Sequence, residues 1–198
     1  MSNVILASRS AARVQMLRDA GVPFEAVGAS VDEDMMKAAL AAEALSPRDI
    51  ADALAEAKAL KISRRHPEAL VIGADQVLDL DGRLFDKPDT VATARAHLLA
   101  LRGKTHVLHS AAVIARGGAP VWRHVGRARL SVRPFSDAFL DDYLDIEGEA
   151  VLGCVGAYRL EGPGVQLFSR VEGDHFTVLG LPLLETLDYL RTTGALLS

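Results

Sequence analysis

The chain has 198 residues, 49% hydrophobic and 24% charged, which suffices for one large domain or two lobes sharing a core. Its formal charge of −4, with 22 basic residues spread along the chain, offers no basic stripe for a nucleic-acid backbone, so DNA and RNA polymers are not expected partners. The chain opens without a charged leader, no apolar run approaches the ~18 residues that cross a bilayer, and its one cysteine, Cys154, has no second thiol to pair with. The expectation is a cytoplasmic protein that does not enter a membrane.

The first elements lie in "VILASRSAARVQMLRDAG". Residues 4–7 read as a short strand, and the spacing then turns helical, with Arg13, Met16, Leu17 and Ala20 on one side until Gly21 and Pro23. Ser8 or Ser10 can cap this helix, but Arg9 and Arg13 lie where the positive end of the helix dipole favours acids. As structure, the two arginines are solvated surface groups. As chemistry, hydroxyls, free N–H groups and guanidinium together make a phosphate site.

"FEAVGASVDED" reads as a second strand ending in acids, and "SPRDIADALAEAKALKISRRHP" is the clearest helix. Ser46 caps it, Pro47 takes its first position, and Ile50, Leu54, Ala57 and Lys61 follow at helical spacing. "ALVIGADQVLDLDG" is a buried strand running into an acidic turn, and "TVATARAHLLALRGK" is a helix closed by Gly103. The segment from Thr105 to Pro134 reads as a long hairpin turning at Gly117 and Gly118. A helix capped by Ser136, Gly-rich strands through "VGAYRLEGPGVQLFSRVEG" and a last helix over about residues 183–191 complete the chain. Helices alternating with strands, interrupted by a hairpin, predict an α/β fold on a mixed sheet in one compact unit.

Three features can carry chemistry. Asp75 in "VIGADQV" ends an apolar run, where a carboxylate leaves a buried strand; ligands bind at such ends of open α/β sheets, although acids there also simply cap turns. Asp32 and Glu33 could join Asp75 around a hard cation, or be two solvated acids on a loop. Lys58 flanks the apolar stripe of its helix and Lys87 precedes Pro88 in "FDKPDT"; such lysines ordinarily snorkel to water. There is no GxxxxGK[ST], GxGxxG, GxSxG or HExxH, and the six histidines show no metal-ligand spacing. Serine and zinc hydrolases thus lose ground.

Taken in order, "ILASRSAAR", "VDE", "AEAKA", "VIGADQV", "DKP" and "GLPL" resemble the Maf family over essentially the whole chain, residues 5–190. The resemblance implies an elongated mixed α/β fold with two lobes around a central cleft, shared with inosine triphosphate pyrophosphatases. It also implies hydrolysis of a nucleoside triphosphate to a monophosphate and pyrophosphate. On that reading Asp75, Lys58 and Lys87 are catalytic, Glu33 and Asp75 hold Mg²⁺ or Mn²⁺, and Ser8, Ser10 and Arg13 bind phosphate. Asp75 would accept the proton of the attacking water, and no covalent intermediate is needed. Family members are often dimeric, which implies a homodimer.

Gln76, after the Asp, and Glu161 in "YRLEG" match the members that act on 7-methyl-GTP, and a carboxylate at Glu161 can accept from both donors of a guanine edge. Ala12 departs from the pattern, where an aromatic would stack on the base. A dTTP/UTP-type pyrophosphatase therefore stays open as an alternative, as does a nucleotide-binding regulator of cell division with incidental hydrolysis.

Overall fold

The computed structural model describes residues 3–197. Its strands are β1 (Val4–Leu6), β2 (Glu25–Ala26), β3 (Leu70–Leu80), β4 (Arg83–Phe85), β5 (Thr105–Arg116), β6 (Ala119–Val132) and β7 (Phe168–Glu172). The helices are α1 (Ala11–Asp19), α2 (Glu33–Ala42), α3 (Pro47–Ser63), α4 (Val91–Leu101), α5 (Asp137–Glu147), α6 (His175–Leu179) and α7 (Leu183–Thr192). The seven strands form a sheet in the order β2-β1-β3-β5-β6-β7, with β4 also paired to β3. β1 runs parallel to β2 and β3, whereas β3/β4 and β6/β7 are antiparallel, so the sheet is mixed as predicted.

The chain divides into two compact units, Met1–Gln76 with His109–Gly126 and Asp174–Ser198, and Val77–Leu108 with Arg127–Gly173. In the first unit, alternation along β3 sorts residues to two sheet faces. Ile72 and Ala74 pack with Met16 and Leu17 of α1 and Leu183 and Leu190 of α7, while Val71 packs with Ile62 of α3. α3 approaches its face closely because Gly73 has no side chain: a methyl there would run into the Ala55 carbonyl and lie 2.5 Å from the Ala59 nitrogen. The β5–β6 connection turns at Gly117 and Gly118, both at positive φ (59° and 77°), the backbone a two-residue hairpin loop requires.

In the second unit, Leu98 and Leu101 of α4 and Leu140 and Tyr143 of α5 are buried. His106 on β5 is almost fully buried, and its Nε2 lies 2.7 Å from the Tyr158 hydroxyl. Tyr158 in turn meets the Phe168 ring edge-on at 4.8 Å.

Several expectations change. Residues 148–167 contain 3-10 turns (Gly148–Gly153, Val155–Ala157, Pro163–Leu167) where Gly-rich strands were expected, and only β7 follows. The sequence pattern does not predict α2 or α6. The second strand shrinks to two residues, and Asp32 caps α2, accepting from the Met35 N–H at 3.1 Å. α3 buries Ala55, Lys58, Ala59 and Ile62 after Leu54, in place of Ala57 and Lys61. Asp75 lies mid-strand, since β3 continues to Leu80; it is β1 that stops, with Leu6 paired to Ile72.

Candidate active site

Where β1 ends, β3 loses a neighbour and Ala74 needs a new partner for its carbonyl. Arg13 supplies it. Ser10 caps α1, accepting from the Arg13 N–H, and thereby seats Arg13 in the first turn; Arg9 precedes the cap and is exposed. The Arg13 side chain is buried, donating from Nη1 to the Ala74 carbonyl at 3.2 Å and to Ser8 Oγ at 3.5 Å, and from Nε to the Gly180 carbonyl at 2.7 Å. Burial pushes its guanidinium below the ordinary arginine range, while the charges of Asp75 and Glu33 work against that. Ser8 Oγ also accepts from the Ser10 N–H at 3.2 Å, so the two serines and Arg13 form one corner.

Lys58 does not snorkel to water. Its Nζ is 2.6 Å from Asp75 Oδ1 and 2.9 Å from Glu33 Oε1, and its side chain is 8% exposed. A buried ammonium needs such partners, because an unpaired one would cost several kcal/mol. Glu33 begins α2, and Lys61 anchors the loop leading there by donating to the Ser30 carbonyl at 2.6 Å. Two carboxylates thus converge on one cation, while Asp75 Oδ2 is buried without a hydrogen-bond partner. Among the described residues no three His, Cys, Asp or Glu side chains gather as a metal cage. The donor set nonetheless fits Mg²⁺ or Mn²⁺, which are commonly bound through one or two carboxylates together with substrate phosphates. Glu33 and Asp75 would hold it.

Gln76 points away from this cluster. Its Nε2 lies 2.9 Å from Ser110 Oγ, 3.1 Å from the Thr177 carbonyl and 3.0 Å from the Val178 carbonyl. Lys87 and Glu161 belong to the second unit, where both act electrostatically on Cys154, whose thiol is pushed up mainly by burial. Glu161 is partly exposed, and its Oε1 is 3.5 Å from Arg159 Nε. Arg159 Nη1 donates to buried Glu147 at 3.2 Å. Ser110, Thr177, Glu147 and Arg159 were not singled out from sequence. The one available signal was Ser110, a polar residue heading the apolar run "SAAVIA", and the fold buries it fully.

Comparison with known proteins shows the family. The model of the family described as "Maf-like protein" matches residues 3–193. A protein of Caulobacter vibrioides named nucleoside triphosphate pyrophosphatase is 61% identical over 196 residues, covering 99% of this chain and 98% of the relative. Proteins of the same name from Paramagnetospirillum magneticum (56% identical; 97% and 99% covered) and Rhodospirillum rubrum (53%; 98% and 96%) are similar along almost their whole length. With a family match running nearly end to end and relatives more than half identical over almost their whole length, the chain belongs to the Maf family.

Proposed function

We propose that this chain is a nucleoside triphosphate pyrophosphatase that cleaves between the α- and β-phosphates, with 7-methyl-GTP as its preferred substrate. The observation that carries the reading is the buried Lys58 ammonium held between Glu33 and Asp75, beside an unpartnered Asp75 oxygen. The names borne by relatives more than half identical support the same chemistry.

In this mechanism a water oxygen attacks the α-phosphorus, the bond to the bridging oxygen breaks, and pyrophosphate departs with that oxygen. Asp75 takes the water proton, and Lys58 keeps the carboxylate oriented and balances its charge. Arg13, whose Nε and Nη1 are spent on the protein, offers Nη2 to a phosphate oxygen, and Ser8 and Ser10 add hydroxyl donors. Arg13 and Lys58 together only offset Asp75 and Glu33, so a triphosphate needs further positive charge. A divalent cation on Glu33 and Asp75 would supply it by neutralising phosphate oxygens, and Lys87 would stabilise the departing pyrophosphate. Glu161, partly exposed and steadied by Arg159, accepts from the N1–H and amino group of the base, and its charge suits the cationic 7-methylguanine ring. The reading includes a cytoplasmic homodimer, supported by the family resemblance.

Initial rates of pyrophosphate release from 7-methyl-GTP, GTP, dTTP, UTP and CTP, each with and without divalent metal, test the proposal. Release requires metal, kcat/KM is highest for 7-methyl-GTP, and Glu161→Gln erodes that lead. Asp75→Asn folds normally and loses at least the ~10²-fold typical of general-base catalysis. A preference for dTTP or UTP would overturn the base assignment, and near-normal turnover by Asp75→Asn would remove Asp75 from the chemistry.

A further inference from the structure

Gln76 directly follows Asp75, yet consecutive strand residues face opposite sides of a sheet. The first unit bears this out: Gly73 and Asp75 face α3, while Ala74 and Gln76 face the side carrying α1, α6 and α7. A nucleotide reacting at Asp75 would therefore meet the face that Gln76 leaves. The Gln76 amide nitrogen is also fully engaged, since its two hydrogens serve three acceptors: Ser110 Oγ and the carbonyls of Thr177 and Val178. Ser110 closes the triangle by donating to the Thr177 carbonyl at 2.7 Å. Thr177 has no slack to give, because a methyl on Gly126 would lie 2.5 Å from its Oγ1.

We propose that Gln76 is a positioning residue: with Ser110 it clamps β3 to α6 from behind and so fixes the aim of Asp75, making no contact with the base. The inference rests on the pyrophosphatase reading above for its activity readout. Two of the clamped carbonyls belong to a five-residue helix with little stability of its own, so the amide holds α6 and strand together. Loss of the clamp lets Asp75 wander by a fraction of an ångström, which slows chemistry for every nucleotide alike.

The test compares wild type, Gln76→Leu, Ser110→Ala and the double variant, each assayed with 7-methyl-GTP, GTP and UTP and normalised to the folded fraction by circular dichroism. Gln76→Leu is expected to lower kcat by roughly 10-fold for all three, below the ~10²-fold of a full ångström's misplacement, with KM and substrate ranking unchanged. Ser110→Ala shows a smaller loss with the same kcat-only signature, and the double variant loses less than the product of the single losses. Faster amide hydrogen exchange at residues 174–181 in Gln76→Leu accompanies this. A KM rise or ranking change confined to one base in Gln76→Leu would overturn the inference, as would wild-type kcat in Ser110→Ala combined with unchanged exchange. Absence of pyrophosphate release from the wild type would instead defeat the pyrophosphatase reading; exchange then decides the clamp alone.

Discussion

At the scale of single residues, Arg13 and Lys58 offset Asp75 and Glu33 before any ligand arrives. Lys58 is buried because two carboxylates receive it, and Arg13 because three protein oxygens do. Neither fate was readable from sequence: Lys58 lies 17 positions from Asp75 and Arg13 lies 167 from Gly180, so only folding reveals the partner. Asp75 stood out in sequence as an acid in an apolar run, but its place in mid-strand and its pairing with Lys58 appear only in the fold. His106 in the second unit makes a sharper prediction. Burial lowers its imidazole pKa to about 4, against an ordinary value of ~6.5 for an unfolded chain. Between those pH values the unfolded chain binds a proton that the folded chain refuses. Its contribution is therefore complete above the unfolded value and lost as pH falls toward the folded one, by about 3 kcal/mol in all. Thermal melts from pH 7 to 4.5 should show a decline in Tm that is shallower in His106→Gln; parallel declines would reject the assignment.

At the scale of elements, recognition from sequence followed the buried stripe. α3 announced itself with Ser46, Pro47 and the apolar spacing, and the β5–β6 hairpin with two glycines. α2, none of whose residues is buried, was missed because its acidic start, Asp32 and Glu33, reads equally well as the end of a strand. α6 is too short to display a period, and residues 148–167 place Gly and Pro where both a strand and a 3-10 turn are possible. The close seat of α3 on β3 was equally hidden, since Gly73 looks like any glycine in a strand. Gly73→Ala should force α3 outward and separate Lys58 from Asp75. We expect ~1–3 kcal/mol of lost stability, the usual cost of overpacking, measured by urea denaturation, together with reduced turnover. Full stability in this variant would mean that α3 moves aside without strain.

At the scale of the whole molecule, a formal charge of −4 surrounds a site whose own four charges cancel. A polyanionic nucleotide gains no long-range attraction from such a protein. Raising ionic strength from ~10 to ~150 mM shortens the Debye length from ~30 to ~8 Å. At fixed metal concentration it should leave kcat/KM unchanged or raise it, and a several-fold fall would reveal steering by a local basic field.

The opposite facing of Asp75 and Gln76 also governs how β3 can be assembled. Sliding the strand by one position, so that Asp75 took the place of Gln76, would press its carboxylate against the carbonyls of Thr177 and Val178, oxygen against oxygen, and leave Lys58 facing the methyl of Ala74. Both faces would reject the error at once. The two adjacent polar residues thus act as a proofreading pair for strand register, so that a chain either seats β3 correctly or does not close around it, and no half-active misregistered form accumulates.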